Sequence, residues 1–170
     1  MEPSTGNDSP RLRLLGLGNE LLADDAFGIL VAREVERQIP GQVEVVCSSA
    51  SGLNLLDHLV GASRLIVVDT IVTGAARPGE IHVFHADPVS APAGVAPHSL
   101  GLFQVLALAR EWRLHAPEKA VVIAVEASDC TTVGGEMHPD VRSAIAHAVD
   151  LVRTMIAPGF QTSASEFPSL

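Results

Sequence analysis

The stretch Leu14-Leu15-Gly16-Leu17-Gly18-Asn19-Glu20-Leu21-Leu22-Ala23-Asp24-Asp25-Ala26-Phe27-Gly28 carries an apolar strand through a glycine turn towards a helix and sets two adjacent carboxylates at the handover. Residues 11–17 read as a buried strand, and residues 29–39 carry apolar side chains at helical spacing. Asp24 and Asp25 therefore fall at the exposed carboxyl end of the strand, the edge where open α/β sheets bind ligands. An acid there also serves as an N-cap, accepting from orphan N–H groups and favouring the helix dipole. One Asp suffices for capping, so the pair raises a site as the competing reading.

The glycine spacing excludes two nucleotide sites. A dinucleotide fingerprint requires a third glycine where Leu21 stands, and no G-x-x-x-x-G-K-[ST] run occurs in the chain. Two carboxylates at the mouth of the turn would also repel a phosphate, whereas a cation suits them.

Composition narrows the class further. With 170 residues, 47% of them hydrophobic, the chain has a single-domain length and enough apolar surface for a sizeable core. Eleven basic against twenty acidic residues give a formal charge of −9, which argues against nucleic acid or an anionic membrane as partner. Cys47 and Cys130 lack C-x-x-C spacing and read as free thiols of a cytoplasmic protein. Residues 1–10 form a polar N-terminal tail, expected to be disordered, with no apolar core of a signal peptide, and no apolar run reaches the length of a membrane span.

Strand and helix patterns then alternate. Strands are expected at 43–47, 64–71, 80–84 and 120–125, and helices at 53–60, 99–112 and 138–155. Residues 74–79 read as a turn, 87–97 as a proline-rich covering loop and 158–170 as a flexible tail. Such alternation gives one domain over 11–157, a three-layer α/β/α sandwich around a mostly parallel five-stranded sheet.

Three polar residues occupy equivalent places in that scheme. Asp25 follows the first strand, Asp69 ends the apolar run of the third, and His98 opens the helix after the proline-rich loop. Carboxyl ends of neighbouring parallel strands lie side by side, so all three can face one cleft. Two carboxylates and an imidazole form a partial shell for a divalent transition metal, with positions left for water or substrate. Taken singly, each also fits a turn or a helix start. The remaining histidines read as weaker candidates: His58 on a helix, His82 and His85 flanking a strand and solvated, His115 in a loop, and His138 and His147 as surface helix residues.

The chain resembles the maturation endopeptidases of nickel-iron hydrogenases, which trim a C-terminal extension from the hydrogenase large-subunit precursor. The resemblance lies in GLGNELLADDAFG at 16–28, SGLNLLDHL at 51–59, LIVVDTIVTGAARPGEI at 65–81, PHSLGLFQVLALA at 97–109 and, more loosely, GGEMHPDVRSAI at 134–145, in the order and spacing of the family. It implies a phosphorylase/hydrolase-like fold and makes Asp25, Asp69 and His98 both the metal ligands and the catalytic residues. It also implies that nickel arrives already inserted in the precursor and that the enzyme is a metal-dependent endopeptidase of the aspartyl kind; the open donor set, without thiolate or a fourth protein ligand, is expected to hold other divalent ions such as cadmium or zinc only weakly. Asp24 is then expected to orient Asp25 or to cap the helix, with Asp24→Asn the milder substitution.

Some positions depart from the pattern. Asp25 stands where some members carry Glu, which shortens its reach by one methylene. Thr70 stands where Ala is frequent, and Glu126-Ala127-Ser128-Asp129 stands where members differ widely; both are expected to bear on which precursor is recognised. Peptidyl-tRNA hydrolases have a similar fold and a GLGN-type turn, but they need a downstream histidine in an Arg-His-Asn context, where this chain has Phe27-Gly28. No G-x-S-x-G elbow occurs, and neither cysteine has a histidine partner in the pattern, which leaves water as the nucleophile. The alternatives are a non-catalytic nickel-dependent assembly chaperone and a conventional metallohydrolase carrying its own metal.

Overall fold

A computed structural model describes residues 11–85 and 99–157. Both tails, the proline-rich loop and His98 lie outside the described residues. Strands β1 (Leu12–Leu17), β2 (Glu44–Ser48), β3 (Arg64–Ile71), β4 (Ile81–His85) and β5 (Lys119–Glu126) form one sheet in the order β2-β1-β3-β5-β4. The first four in that order run parallel, and β4 closes the edge antiparallel to β5. Helices α1 (Phe27–Gln38), α2 (Leu56–Leu59) and α3 (Ser99–Glu111) lie in the connections between strands, and α4 (Pro139–Ile156) follows β5.

The two-residue period of the strands builds the layers. Leu14, Ile66, Val68, Val121, Ile123 and Val125 point to one face and pack against α1 and α4, through Phe27, Val31, Val35, Val141, Ala148 and Val152. Leu15, Leu17, Leu65, Val67, Val122 and Ala124 point to the other, where Leu55 and Leu59 meet Leu102, Val105 and Leu106 of α3. The expected α/β/α sandwich is thus present.

One expected element is much reduced. The helix read over 53–60 is a 3-10 turn, Gly52–Leu55, followed by the single α-turn of α2. Glycines at positive φ bound it, Gly52 at 56° and Gly61 at 86°, so the helix is cut short, with Leu55 and Leu59 buried and Leu53 63% exposed. Polar contacts add to the packing of Leu55 and Leu59. The buried guanidinium of Arg13 donates to the carbonyls of His58 (2.6 Å) and Val60 (3.1 Å) and pairs with Glu44, while the His58 ring lies 2.9 Å from Ser48 Oγ.

Glycines bring α1 directly onto the sheet. A Cβ on Gly28 would run into the carbonyl oxygens of Leu17 and Val68, and one on Gly18, at φ 144°, into that of Asp25. Without side chains there, the first turn of α1 sits over the ends of β1 and β3. The Asp24–Ala26 3-10 turn that leads into it is therefore held at the carboxyl edge of the sheet.

Candidate active site

Asp25 and Asp69 come together at that edge through a third residue, Thr70. The Thr70 hydroxyl donates to Asp25 Oδ1 (3.2 Å), and its backbone N–H donates to Asp69 Oδ1 (2.8 Å). The pleat explains how one residue reaches both. Asp69 follows Leu65 and Val67 on the α3 face, whereas Thr70 follows Ile66 and Val68 on the α1 face, beside the Asp24–Ala26 turn. The carboxylates are not exposed, as the sequence reading had them: Asp25 is 2% exposed, and Asp69 and Thr70 are fully buried. Carboxylates so buried require hydrogen-bond donors, and Thr70 supplies one to each.

His98 lies outside the described residues, and among those described no three His, Cys, Asp or Glu side chains are grouped to hold a metal ion. The nearest described landmark is the first turn of α3, whose Gly101 packs against Gly52 in the loop after β2. This turn therefore belongs to the carboxyl edge of the sheet.

Asp24 has a different task from the two expected of it. The 3-10 turn has no side-chain cap, and the Asp24 carboxylate instead accepts from three distant backbone N–H groups: Ser128 (2.8 Å) and Asp129 (2.9 Å) on Oδ2, and His138 (2.7 Å) on Oδ1. It fastens the loop after β5 and the start of α4 to the first turn. His138, read as a surface helix residue, is the N-cap of α4, its Nδ1 accepting from the Asp140 N–H.

Glu126 is a second buried staple. Its Oε1 accepts from the N–H groups of Thr73 and Gly74 (2.8 and 2.9 Å) and its Oε2 from the Thr73 hydroxyl (2.8 Å), fixing the loop after β3. Thr70 and Glu126 were expected to influence which precursor is recognised, but both are buried with their polar atoms turned to the chain itself. Nor do His82 and His85 flank their strand as solvated residues. Both lie within β4 and are half-buried, with His82 stacked on Phe84 and its Nε2 3.9 Å from Glu126.

Cys130 escaped the sequence reading as a member of the site. It sits in the loop after β5 with Sγ 3.6 Å from Thr70 Oγ1, donating towards it. Burial pushes its thiol up to about 11; the Thr70 contact opposes that rise, and the charges of Asp25, Asp24 and Asp69 add to it. At neutral pH the sulfur keeps its proton and is a poor nucleophile. The alternation of β3 would have placed Thr70 on the Asp25 side, but nothing in the sequence around Cys130 pointed to it.

Comparison with known proteins gives a consistent picture. Residues 29–155 match the family model described as hydrogenase maturation protease, a match that starts just past Asp25. The hydrogenase expression/formation protein HupD of Bradyrhizobium diazoefficiens is 33% identical, over 91% of this chain and 82% of that one. The hydrogenase 2 maturation protease of Escherichia coli is 31% identical, over 68% of this chain and 72% of its own length. Among solved structures, the hydrogenase maturating endopeptidase HybD from Escherichia coli superposes with a TM-score of 0.70 at 29% identity, covering 84% of this chain and 89% of that one.

Proposed function

The chain belongs to the hydrogenase maturation protease family, and on that premise we propose that it removes the C-terminal extension of a nickel-iron hydrogenase large-subunit precursor once nickel is in place. The observation that carries the site is the pair of buried carboxylates, Asp25 and Asp69, bracketing Thr70 at the carboxyl edge of a parallel sheet. His98, the residue before α3, completes the proposed set; Asp69 and the core-facing side of α3 share one face of the sheet, which supports that assignment.

In this reading nickel belongs to the substrate. Two carboxylates and an imidazole give hard and borderline donors without thiolate, a set suited to divalent nickel and too small to enclose it. The three residues hold the nickel-bearing segment and so position the peptide bond beside the site, where orientation supplies much of the rate enhancement. Water is the nucleophile, in keeping with a Cys130 thiol that keeps its proton. The free thiols and the acidic surface suit a cytoplasmic protein whose partner is another protein.

Incubating the protein with nickel-loaded and nickel-free precursor and weighing the products tests this directly. Loss of the extension from the loaded precursor alone is the expected result. Unchanged mass with tight association would make the protein an assembly chaperone, and equal cleavage of both would make it an ordinary hydrolase.

A further inference from the structure

Thr70 touches both candidate carboxylates, and its own hydroxyl is contacted in turn by Cys130. Two contacts form a directed series: Cys130 Sγ–H to Thr70 Oγ1 at 3.6 Å, then Thr70 Oγ1–H to Asp25 Oδ1 at 3.2 Å. Thr70 also sends its backbone N–H to Asp69 Oδ1 at 2.8 Å. Direction matters, because a hydroxyl has one proton and a rotor. A thiol donating to its oxygen leaves that proton for Asp25.

The carboxylate of an Asp turns broadly about its terminal torsion, whereas a threonine in a strand is stiff at χ1. Thr70, fully buried within β3, is therefore a fixed donor to the Asp25 carboxylate. We propose that Thr70, steadied by Cys130, is a positioning residue that sets the carboxylate of Asp25 for the nickel-bearing substrate while joining it to Asp69. Neither Thr70 nor Cys130 touches the reacting atoms. The inference rests on the function proposed above and adds to it the residues that aim the ligand.

The test uses the full chain and four variants. Thr70→Val keeps the shape and removes the hydroxyl, Thr70→Ser keeps the hydroxyl, Cys130→Ala removes the thiol, and Asp25→Asn serves as the reference loss. Two readouts are taken: affinity for Ni2+ alone by titration calorimetry, and the cleavage rate of nickel-loaded precursor, with thermal unfolding to verify folding. Groups that orient a ligand typically carry about a ten- to hundredfold effect. Thr70→Val should show a loss of that order in both readouts, Thr70→Ser should recover most of it, and Cys130→Ala should show a smaller loss. Where Thr70→Val does not fold, Thr70→Ala takes its place.

Folded Thr70→Val with unchanged affinity and rate overturns the proposal. So does a folded Thr70→Ser that is as impaired as Thr70→Val, since the hydroxyl would then not be the active feature. Asp25→Asn separates the two levels. If it loses both readouts while Thr70→Val loses neither, only the positioning role falls; if Asp25→Asn also keeps both, the proposed site falls with it.

Discussion

Two neighbouring acids carry out different work in this protein, and only their partners distinguish them. Asp24 accepts three backbone N–H groups from residues more than a hundred positions away, while Asp25 faces Thr70. The sequence made the doublet conspicuous and gave Asp25 and Asp69 as candidates, because both follow apolar runs that end at one sheet edge. It could not show what Asp24 binds, since Ser128, Asp129 and His138 reach it only through the folded chain. The consequence for mutation is that stability and processing rank the two acids in opposite orders. Asp24→Asn presents an NH2 group to donors that need an acceptor, and an unsatisfied buried donor costs about 1–3 kcal/mol. Asp24→Asn should therefore lower stability by about 2 kcal/mol and Asp24→Ala by about 3 kcal/mol in urea unfolding. Asp25→Asn should stay within about 1 kcal/mol of the parent and abolish processing. Equal stability of Asp24→Asn and the parent would show that the three contacts do not hold in solution.

At the scale of elements, the strands were legible and the connections less so. Buried parallel strands are continuous apolar runs, so β1, β3 and β5 could be read within a residue or two of their observed ends. Residues 53–60 have the same apolar density, but they are bounded by Gly52 and Gly61 in conformations that interrupt a helix, and a buried arginine holds what remains. The contact between α1 and the sheet is the element on which the site depends. At Gly28 a methyl group would meet two backbone carbonyl oxygens, those of Leu17 and Val68, and neither can withdraw without disturbing the pairing of β1 with β2 or with β3. Gly28→Ala should thus cost more than the 1–3 kcal/mol usual for overpacking, and the expected outcome is loss of the cooperative thermal transition. Glu126→Gln is the milder change at the opposite side of the edge. It should leave the sheet intact while speeding amide exchange at Thr73 and Gly74, whose N–H groups the carboxylate accepts. Unaltered exchange there would remove Glu126 as the fastening of that loop.

The whole molecule combines an ordinary α/β core with an unusual concentration of buried acids at one edge. Asp24, Asp25, Asp69 and Glu126 are each 2% exposed or less, and all four lie where β1, β3 and β5 end. Polarity of that sort is stable only because backbone N–H groups and hydroxyls converge on it. Burial raises the thiol of Cys130 from its ordinary value of 9.0 to about 11, and the nearby carboxylates add to that rise. Linkage fixes the sign of the consequence. A folded-state pKa above the unfolded one means that the native protein binds the proton more tightly, so this contribution to stability is complete below pH 9 and is lost as the pH rises through about 11. Cys130→Ser, which does not titrate in that range, should lose less stability than the parent between those limits in denaturant unfolding at stepped pH. Alkylation of Cys130 in the folded protein should accelerate over the same interval, because the thiolate is the reacting form. A midpoint near 9 for that acceleration would mean that the sulfur is not buried, and the packing of Cys130 against Thr70 would have to be abandoned.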